Sequence, residues 1–424
     1  MNIHELNGQN VCILGYGREG QASHQALREY APDANIVVAD ANPDTQPKHG
    51  AELITGPNYL DKLDRFDAII KSPGIKWRPS GPAAATSGTQ LFLDSLPAGA
   101  TVIGVTGTKG KSTTSYLVYR ALEAAGKDVH LAGNIGEPML NALPLAKPGS
   151  YFVLELSSYQ LETLRTSPHI AVVTSFFPDH TDYHGSLAAY LEAKSHITKF
   201  QQSSDVVFYN SEYPECQQIA AAGPGRQVAF TAASAPAALR GLPNPSNLAA
   251  AVLVARECGV PEAAAIAALE HAGTLPHRQQ SLGLIAGIEW VDDSAATTPQ
   301  STVAALQALG DRVDTIIVGG LDRDYDFTEL GRALAASLIR HVILFPHTGA
   351  KIKHATERGA GHHQPKDYFE TASMPAAVAY AAECTAPGRI CLLASGSPSY
   401  NQFKNYYERG DAFQSAVRQL NPRN

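Results

Sequence analysis

Short β-branched apolar runs alternate with helix-length segments along the whole chain, which predicts an α/β protein built on doubly wound, mostly parallel sheets. Two glycine-rich turns support that reading, because each stands where a strand-like run meets a helix-like one. Length is the third observation: 424 residues exceed one ordinary core and point to about three domains. We read them as residues 1–96, 97–274 and 275–424, the outer two Rossmann-like and the central one of the P-loop ATPase type.

The first domain opens on an apolar run at residues 11–14, with further runs at 36–39 and 68–70. The first run leads into Gly15-Tyr-Gly17-Arg-Glu-Gly20, a complete G-x-G-x-x-G. Asp40 closes the second run at the distance where a ribose-binding acid falls. Alone, this pattern fits an NAD site, the diphosphate of another nucleotide, or glycines that merely allow tight strand–helix packing. Ser72-Pro-Gly74 closes the third run. Composition shifts across Gly81–Gly88 and Pro97–Ala100, and the first boundary is set near residue 96.

The central domain starts with Thr101-Val-Ile-Gly-Val-Thr-Gly-Thr-Lys-Gly-Lys-Ser-Thr-Thr114. A β-branched run enters a glycine loop, and Leu117, Val118, Ala121 and Leu122 follow at helical spacing. Strand, loop and helix of this kind set backbone amides and a helix N-terminus around an anion, with a lysine for the terminal phosphates and a hydroxyl for Mg²⁺. The strict G-x-x-x-x-G-K-[ST] pattern is not met, since Val105 holds the place of its first glycine; the shorter G-x-x-G-K-S stands here. Strands are expected at 151–156, 170–174 and 206–209. Glu155 lies inside the first of these, and an acid in an apolar strand is costly unless paired or metal-bound. Mg²⁺ held by one or two carboxylates plus phosphate oxygens suits it. Asn134 sits in a turn, Leu131-Ala-Gly-Asn-Ile-Gly136. Pro178-Asp-His-Thr-Asp-Tyr-His-Gly185 spaces His180 and His184 four apart, with Lys194 in a helical segment beyond. No cysteine or Glu-x-x-His pattern supports zinc there, and His184 is better read as structural. A turn at 242–247 opens an alanine-rich helix at 248–257, and 274–278 reads as the second linker.

The third domain repeats the rhythm. Runs at 288–291, 315–318, 341–345 and 390–393 end in polar or glycine-rich turns, where open α/β sheets bind ligands. The alanine-rich patches at 220–222, 232–238 and 263–268 read as ordinary helix or loop.

Composition excludes several classes. Net charge is −7 with dispersed basic residues, which argues against nucleic-acid binding through a positive field. No run approaches the ~20 apolar residues of a membrane span, and the N-terminus has no signal-peptide pattern. The five cysteines lack CxxC spacing and read as buried free thiols of a cytoplasmic protein.

The ordered motifs GVTGTKGKSTT, LAGNIG, LELSSYQLE, FFPDHTDYHGSLAAYLEAK, NPSNLAAA, LPHRQQ, DDSAATTPQST and QFKNYYERG make the chain resemble the Mur ligase family over essentially its whole length. It is most similar to those members that add glutamate to UDP-N-acetylmuramoyl-L-alanine in peptidoglycan biosynthesis. The resemblance implies a monomeric ATP-dependent amide-bond ligase with an acyl-phosphate intermediate, two Mg²⁺ ions, and domain closure over the nucleotide. It implies that the first domain binds UDP, not NAD. Catalysis is implied for Lys111, Glu155, His180 and Lys194, and metal binding for Ser112, Glu155, His180 and Lys194, the last as a carbamate. ATP contacts are implied for Gly107, Thr108, Lys109, Gly110, Lys111, Ser112, Thr113, Asn244, Asn247, Arg278 and Asp293. UDP-substrate contacts are implied for Arg18, Glu19, Asp40, Ala41, Ser72, Gly74, Asn134, Ser157 and Gln160. Thr297, Arg323, Ser399 and Tyr406 are implied to hold glutamate.

The third domain departs from the family pattern. Ala295 stands where a lysine is common, and Arg323 replaces a lysine in GGLDRDYDF, a change that alters geometry as well as donor count. D-glutamate is the expected substrate, with L-glutamate the alternative that DSAATTPQST suggests. Other readings are a folylpolyglutamate-type or other Mur ligase, a non-catalytic nucleotide sensor, and an NAD-dependent oxidoreductase. The last leaves the central glycine loop, Glu155 and Lys194 without a role.

Overall fold

Strands whose residues are apolar on both faces must be covered on both sides, and the chain does this with helices packed on three sheets. The computed structural model describes residues 1–47, 50–61, 63–77, 84–135, 137–240, 242, 244–273, 275–323, 325–359 and 366–420. Parts of the turns read from sequence, namely residues 81–83, Gly136, Pro243, Thr274 and Asp324, lie outside the described residues. Two compact bodies result, residues 1–272 and 273–424.

The first body holds two sheets. Strands β1 (Asn10–Leu14), β2 (Asn35–Asp40), β3 (Glu52–Thr55), β4 (Ala68–Lys71) and β5 (Ala84–Thr86) pair in parallel in the order β3-β2-β1-β4-β5. Cys12 pairs with Val37 on one side and Ile69 on the other. The turn after β1 shows why its glycines are needed. Gly15 has φ +88°, and a Cβ on Gly20 would stand 2.0 Å from the Gly15 carbonyl oxygen. The helix Arg18–Tyr30 therefore starts directly against the strand end.

The second sheet begins at β6 (Thr101–Thr106), followed by β7 (Val129–Gly133), β8 (Tyr151–Glu155), β9 (Ile170–Val173), β10 (Val206–Asn210) and β11 (Arg226–Phe230). All pairs are parallel, in the order β11-β10-β9-β6-β8-β7. The chain moves outward to β7 and β8, then crosses to the other side of β6 for β9 to β11. The crevice between β6 and β9 is thus the switch point where such sheets bind ligands. Helices Lys111–Ala124 and Pro245–Glu257 cover one face of this sheet with a dry core that includes Val118, Leu122, Val172 and Ala251.

The second helix begins earlier than the alanine pattern suggests. Pro245 occupies its first turn, where the missing N–H costs nothing, and Asn244 precedes it at φ 60°. The alanine-rich stretch near residue 235 forms two single 3₁₀ turns, Ala232–Ser234 and Ala237–Leu239.

The second body carries β12 (Gln280–Ile285), β13 (Ile288–Asp292), β14 (Val313–Gly320), β15 (His341–His347), β16 (Asp367–Glu370) and β17 (Ile390–Leu393), in the order β12-β13-β17-β14-β15-β16. Only the edge strand β12 runs antiparallel to its neighbour. The core lies on both faces, around Val318 and Leu330 on one and Trp290 and Phe413 on the other.

All five cysteines are free thiols. Burial pushes Cys12, Cys216 and Cys258 up to about 12, which leaves them unreactive thiols. Among the described residues no helix is long and apolar enough to cross a membrane.

Candidate active site

The glycine loop between β6 and the helix Lys111–Ala124 is held from the β9 side. Thr108 N donates to Ser175 O (2.9 Å), Lys109 N to Ser175 Oγ (2.9 Å), and Thr174 Oγ1 to Lys109 O (2.6 Å). Gly107 has φ +145°, and a Cβ there would stand 2.1 Å from Thr174 Oγ1; Gly110, at φ +88°, would meet Asn247 Oδ1 at 2.9 Å. Both glycines are therefore required by their positive φ and by the side chains packed against the loop, and Asn247 is placed beside the loop while Asn244 stands at the N-cap position of its helix. Thr114 N closes the first intrahelical bond, to Gly110 O (2.9 Å), so the positive end of the helix dipole lies at the loop.

The side-chain nitrogens of two lysines converge on one carbonyl of this loop. Lys111 Nζ lies 3.0 Å from both Gly107 O and Thr108 O, and Lys194 Nζ lies 2.9 Å from Gly107 O. Lys194 is 1% exposed. Its other polar neighbour is Thr106 Oγ1 at 3.5 Å, and the Tyr190 ring lies 4.7 Å away. Burial, then the charge of Lys111, hold its amine well below the usual lysine range.

Glu155 ends β8 between the two glycine turns, paired in register with Val105 on β6 and Gly133 on β7. It is 2% exposed. Asn134 Nδ2 donates to its Oε1 (2.7 Å), while Oε2 is buried with no hydrogen-bond partner. A carboxylate oxygen left in that state is expensive, and a cation beside Ser112 would satisfy it. Among the described residues no three His, Cys, Asp or Glu side chains group to hold a metal. A hard cation completed by phosphate oxygens fits this donor set; zinc does not.

His180 and His184 part company. His180 is exposed at φ 51°, with Nδ1 3.5 Å from Asp179 Oδ1. His184 packs its ring on Tyr159 and Tyr190, and its Nε2 lies 3.0 Å from Ser158 Oγ. Burial holds it below the usual histidine range, so it stays neutral and structural.

The first sheet faces the same region. Asp40 uses both oxygens to accept from neighbouring backbone, from Tyr16 N (2.6 Å) and Asn42 N (2.8 Å). It therefore braces the glycine turn. Ser72 Oγ donates to Gly15 O (2.9 Å), which joins the turn after β4 to the turn after β1. Gln160 Nε2 donates to Glu19 Oε1 (3.3 Å), and Gln160 Oε1 accepts from Ser157 N and Oγ. Burial raises the Glu19 carboxyl above the usual range. Arg18, Ala41, Gly74 and Asn134 are exposed around this group.

In the second body, polar turns gather at the carboxyl ends of β13, β14 and β17. Asp292 is fully buried and accepts from His277 Nδ1 (2.7 Å), Gln414 Nε2 (2.9 Å) and Ser294 N (2.9 Å). Burial pushes its neighbour Asp293 up to about 6, with Gln279 N donating to it at 3.3 Å. Arg278 is exposed, Ser399 buried, Thr297 half-buried, and Tyr406 O accepts from Ser294 Oγ (2.8 Å). Arg323 is exposed, with its guanidinium 6.0 Å from the Tyr400 ring.

One residue of this group had no signal in local spacing. Arg409 is 1% exposed and ties the β13 turn to the β17 turn, donating to Ser294 Oγ (3.0 Å), Ser294 O (2.9 Å) and Ser397 O (3.0 Å). Burial lowers its guanidinium to about 10. The adjacent Gly410 marks the place, since a Cβ there would stand 2.0 Å from His277 Nδ1. Arg409→Met is expected to strand three acceptors and destabilise this body by about 3 kcal/mol, read as a lowered urea midpoint in the full chain. A midpoint equal to that of the unsubstituted protein would refute the role.

Residues 105–254 match the Mur ligase middle domain, and residues 277–397 match the Mur ligase, glutamate ligase domain. The UDP-N-acetylmuramoylalanine–D-glutamate ligase of Symbiobacterium thermophilum is 34% identical, over 88% of this chain and 88% of that protein. The UDP-N-acetylmuramoyl-L-alanine–L-glutamate ligase of Salinispora tropica is 34% identical over 99% of both chains. Among solved structures, the UDP-N-acetylmuramate-alanine ligase of Thermotoga maritima superposes with a TM-score of 0.57 at 17% identity, over 97% of this chain and 99% of that one.

Proposed function

The chain belongs to the Mur ligase family, and from that premise we propose that it is an ATP-dependent ligase joining glutamate to UDP-N-acetylmuramoyl-L-alanine in peptidoglycan synthesis. One observation carries the reading: the orphaned Oε2 of Glu155 stands at the strand end paired with the start of a phosphate loop on which two lysines converge. The setting is a cytoplasmic monomer, with domains at 1–96, 97–274 and 275–424.

The roles we assign are those that the family resemblance gives these residues. Lys111 reaches from the loop to the β- and γ-phosphates of ATP, with Gly107, Thr108, Lys109, Gly110 and Thr113 around them. Asn244 and Asn247 border the adenine, and Arg278 and Asp293 are the nucleotide contacts of the C-terminal domain. Ser112 and Glu155 would hold one Mg²⁺, and His180 and a carbamylated Lys194 would hold a second; such ions would neutralise phosphate charge and lower the repulsion between two anions. Arg18, Glu19, Asp40, Ala41, Ser72 and Gly74 line the UDP end of the substrate, with Asp40 acting through the turn it braces. Asn134, Ser157 and Gln160 line the muramoyl-alanine arm.

The substrate carboxylate attacks the γ-phosphorus of ATP, giving an acyl phosphate and ADP. The glutamate amine then attacks the acyl carbon, and the tetrahedral intermediate expels phosphate. The protein supplies position and charge, and no side-chain nucleophile is required.

Thr297, Arg323, Ser399 and Tyr406 hold glutamate. D-glutamate is the first reading. L-glutamate is the second, favoured by Ala295 and Arg323 and by the relatives whose names specify the L form. Phosphate release is to be measured with UDP-N-acetylmuramoyl-L-alanine, ATP, Mg²⁺ and each enantiomer. The first reading expects D-glutamate to be preferred by a factor of about 10², and the second expects the reverse. No release with either enantiomer would sink both.

A further inference from the structure

The turn that follows β4 is fastened at both ends to the loop that carries His180. At its start, Lys71 is 6% exposed, and its Nζ donates to Glu162 Oε1 (3.2 Å) and Ile75 O (2.9 Å). The same Glu162 Oε1 accepts from Tyr183 OH (2.6 Å), and Glu162 Oε2 lies 3.9 Å from His184 Nδ1. At the far end of the turn, Lys76 Nζ donates to Asp182 O (2.9 Å) and sits 5.5 Å from the Tyr183 ring. Between these fastenings lie Ser72 and Gly74. Beyond Asp182 and Tyr183, on the other side, lies His180, the N-cap of the short helix Thr181–His184 in a left-handed conformation. Ile75, Trp77, Tyr183 and His184 line a cavity of about 450 Å³ beside this network.

A buried lysine is costly to keep without a partner, and Lys71 has two, Glu162 and the Ile75 carbonyl. The contacts of this network join two loops that the family reading gives to different ligands. We propose that Lys71, Glu162 and Lys76 form a clamp that couples occupation of the Ser72–Gly74 turn by the UDP-substrate to the placement of the His180 loop. They are positioning residues, since none of them is assigned to a ligand. The inference rests on the reading of Ser72 and Gly74 as substrate contacts. Two discrete links between the loops mean that ordering one orders the other, and the coupling is reciprocal. By ordering the turn, the substrate thereby further orders the His180 loop before phosphoryl transfer.

The test is amide hydrogen exchange of the segment 178–185 in the full chain, read by mass spectrometry, with and without UDP-N-acetylmuramoyl-L-alanine and with no metal or ATP added. In the unsubstituted protein the substrate is expected to slow exchange there at least tenfold. The double variant Tyr183→Phe/Lys76→Met removes the Tyr183–Glu162 and Lys76–Asp182 bonds and leaves the buried Lys71–Glu162 pair intact, so the fold survives. It is expected to bind the substrate, by calorimetry, with the slowing reduced to less than twofold. Lys71→Met/Glu162→Gln is expected to give the same loss from the opposite end. Substrate binding with equal slowing in protein and variants, or with no slowing in either, overturns the clamp alone. No binding by the unsubstituted protein overturns the ligase reading and the clamp together.

Discussion

Lys111→Ala is expected to lower kcat by roughly 10³-fold, about 4 kcal/mol of transition-state stabilisation, with an unchanged far-ultraviolet circular dichroism spectrum. The lysine stands at the first position of its helix, with Nζ against Gly107 O and Thr108 O. Both acceptors belong to the loop that would cradle the phosphates. Its removal leaves Gly107 O with Lys194 as donor, so the loop keeps a bond across its tightest point. The loss also has an indirect part. The charge of Lys111 is the second cause, after burial, that holds Lys194 below its usual range. Alanine at 111 lets the Lys194 amine gain a proton more easily, which works against a carbamate there. Near-normal turnover would show that this loop is not the ATP site. A collapsed spectrum would instead make the lysine structural, and the conservative Lys111→Arg, which keeps the charge, then separates the two by folding without restoring rate.

What could be read from the sequence was what local geometry dictates. Both glycine turns were legible because their glycines answer to contacts within a few residues or within one strand–loop–helix unit, as Gly15 and Gly20 do. Glu155 was legible for a similar reason: a carboxylate inside an apolar strand is a contradiction that asks for a partner. The alternatives for Asp40 were harder. Its spacing fits a ribose contact, and its two oxygens also hold the backbone of the turn beside it, a bracing role that spacing alone does not announce. Arg409 and the Lys71–Glu162 pair were out of reach. Their partners lie 115 and 91 residues away, and neither an Arg in a polar helix start nor a Lys that closes an apolar strand run names a partner so distant. The helix start at Pro245 was misplaced because proline was read as a turn, although at the first helical position it is as favourable as any residue.

Lys194→Ala is expected to be the second large loss, at least ~10³-fold in kcat, and the form of its rescue tests the carbamate. Carbamylation joins the amine nitrogen to the carbon of CO₂ and releases one proton, so it needs an unprotonated amine. An exposed lysine offers little of that species near neutral pH. Lys194 is 1% exposed and near the charge of Lys111, two causes that favour the neutral amine. The product is a carboxylate-like anion in place of a bare amine whose hydrogen-bond partners are a carbonyl and a hydroxyl, with a tyrosine ring beside them. Bare lysine there would repel a cation held by Glu155, whereas the carbamate would help to bind it. Two results follow that a merely structural lysine would not produce. A short carboxylic acid such as formate, added to Lys194→Ala, is expected to restore at least tenfold of the lost rate by occupying the truncated space as an anion. Depletion of dissolved CO₂ is expected to slow the unsubstituted enzyme and to leave the variant unaffected. Full activity of Lys194→Ala without any added acid, or indifference of the unsubstituted enzyme to CO₂ together with failure of rescue, would remove the carbamate and leave Lys194 as a buried amine that holds Gly107 in place.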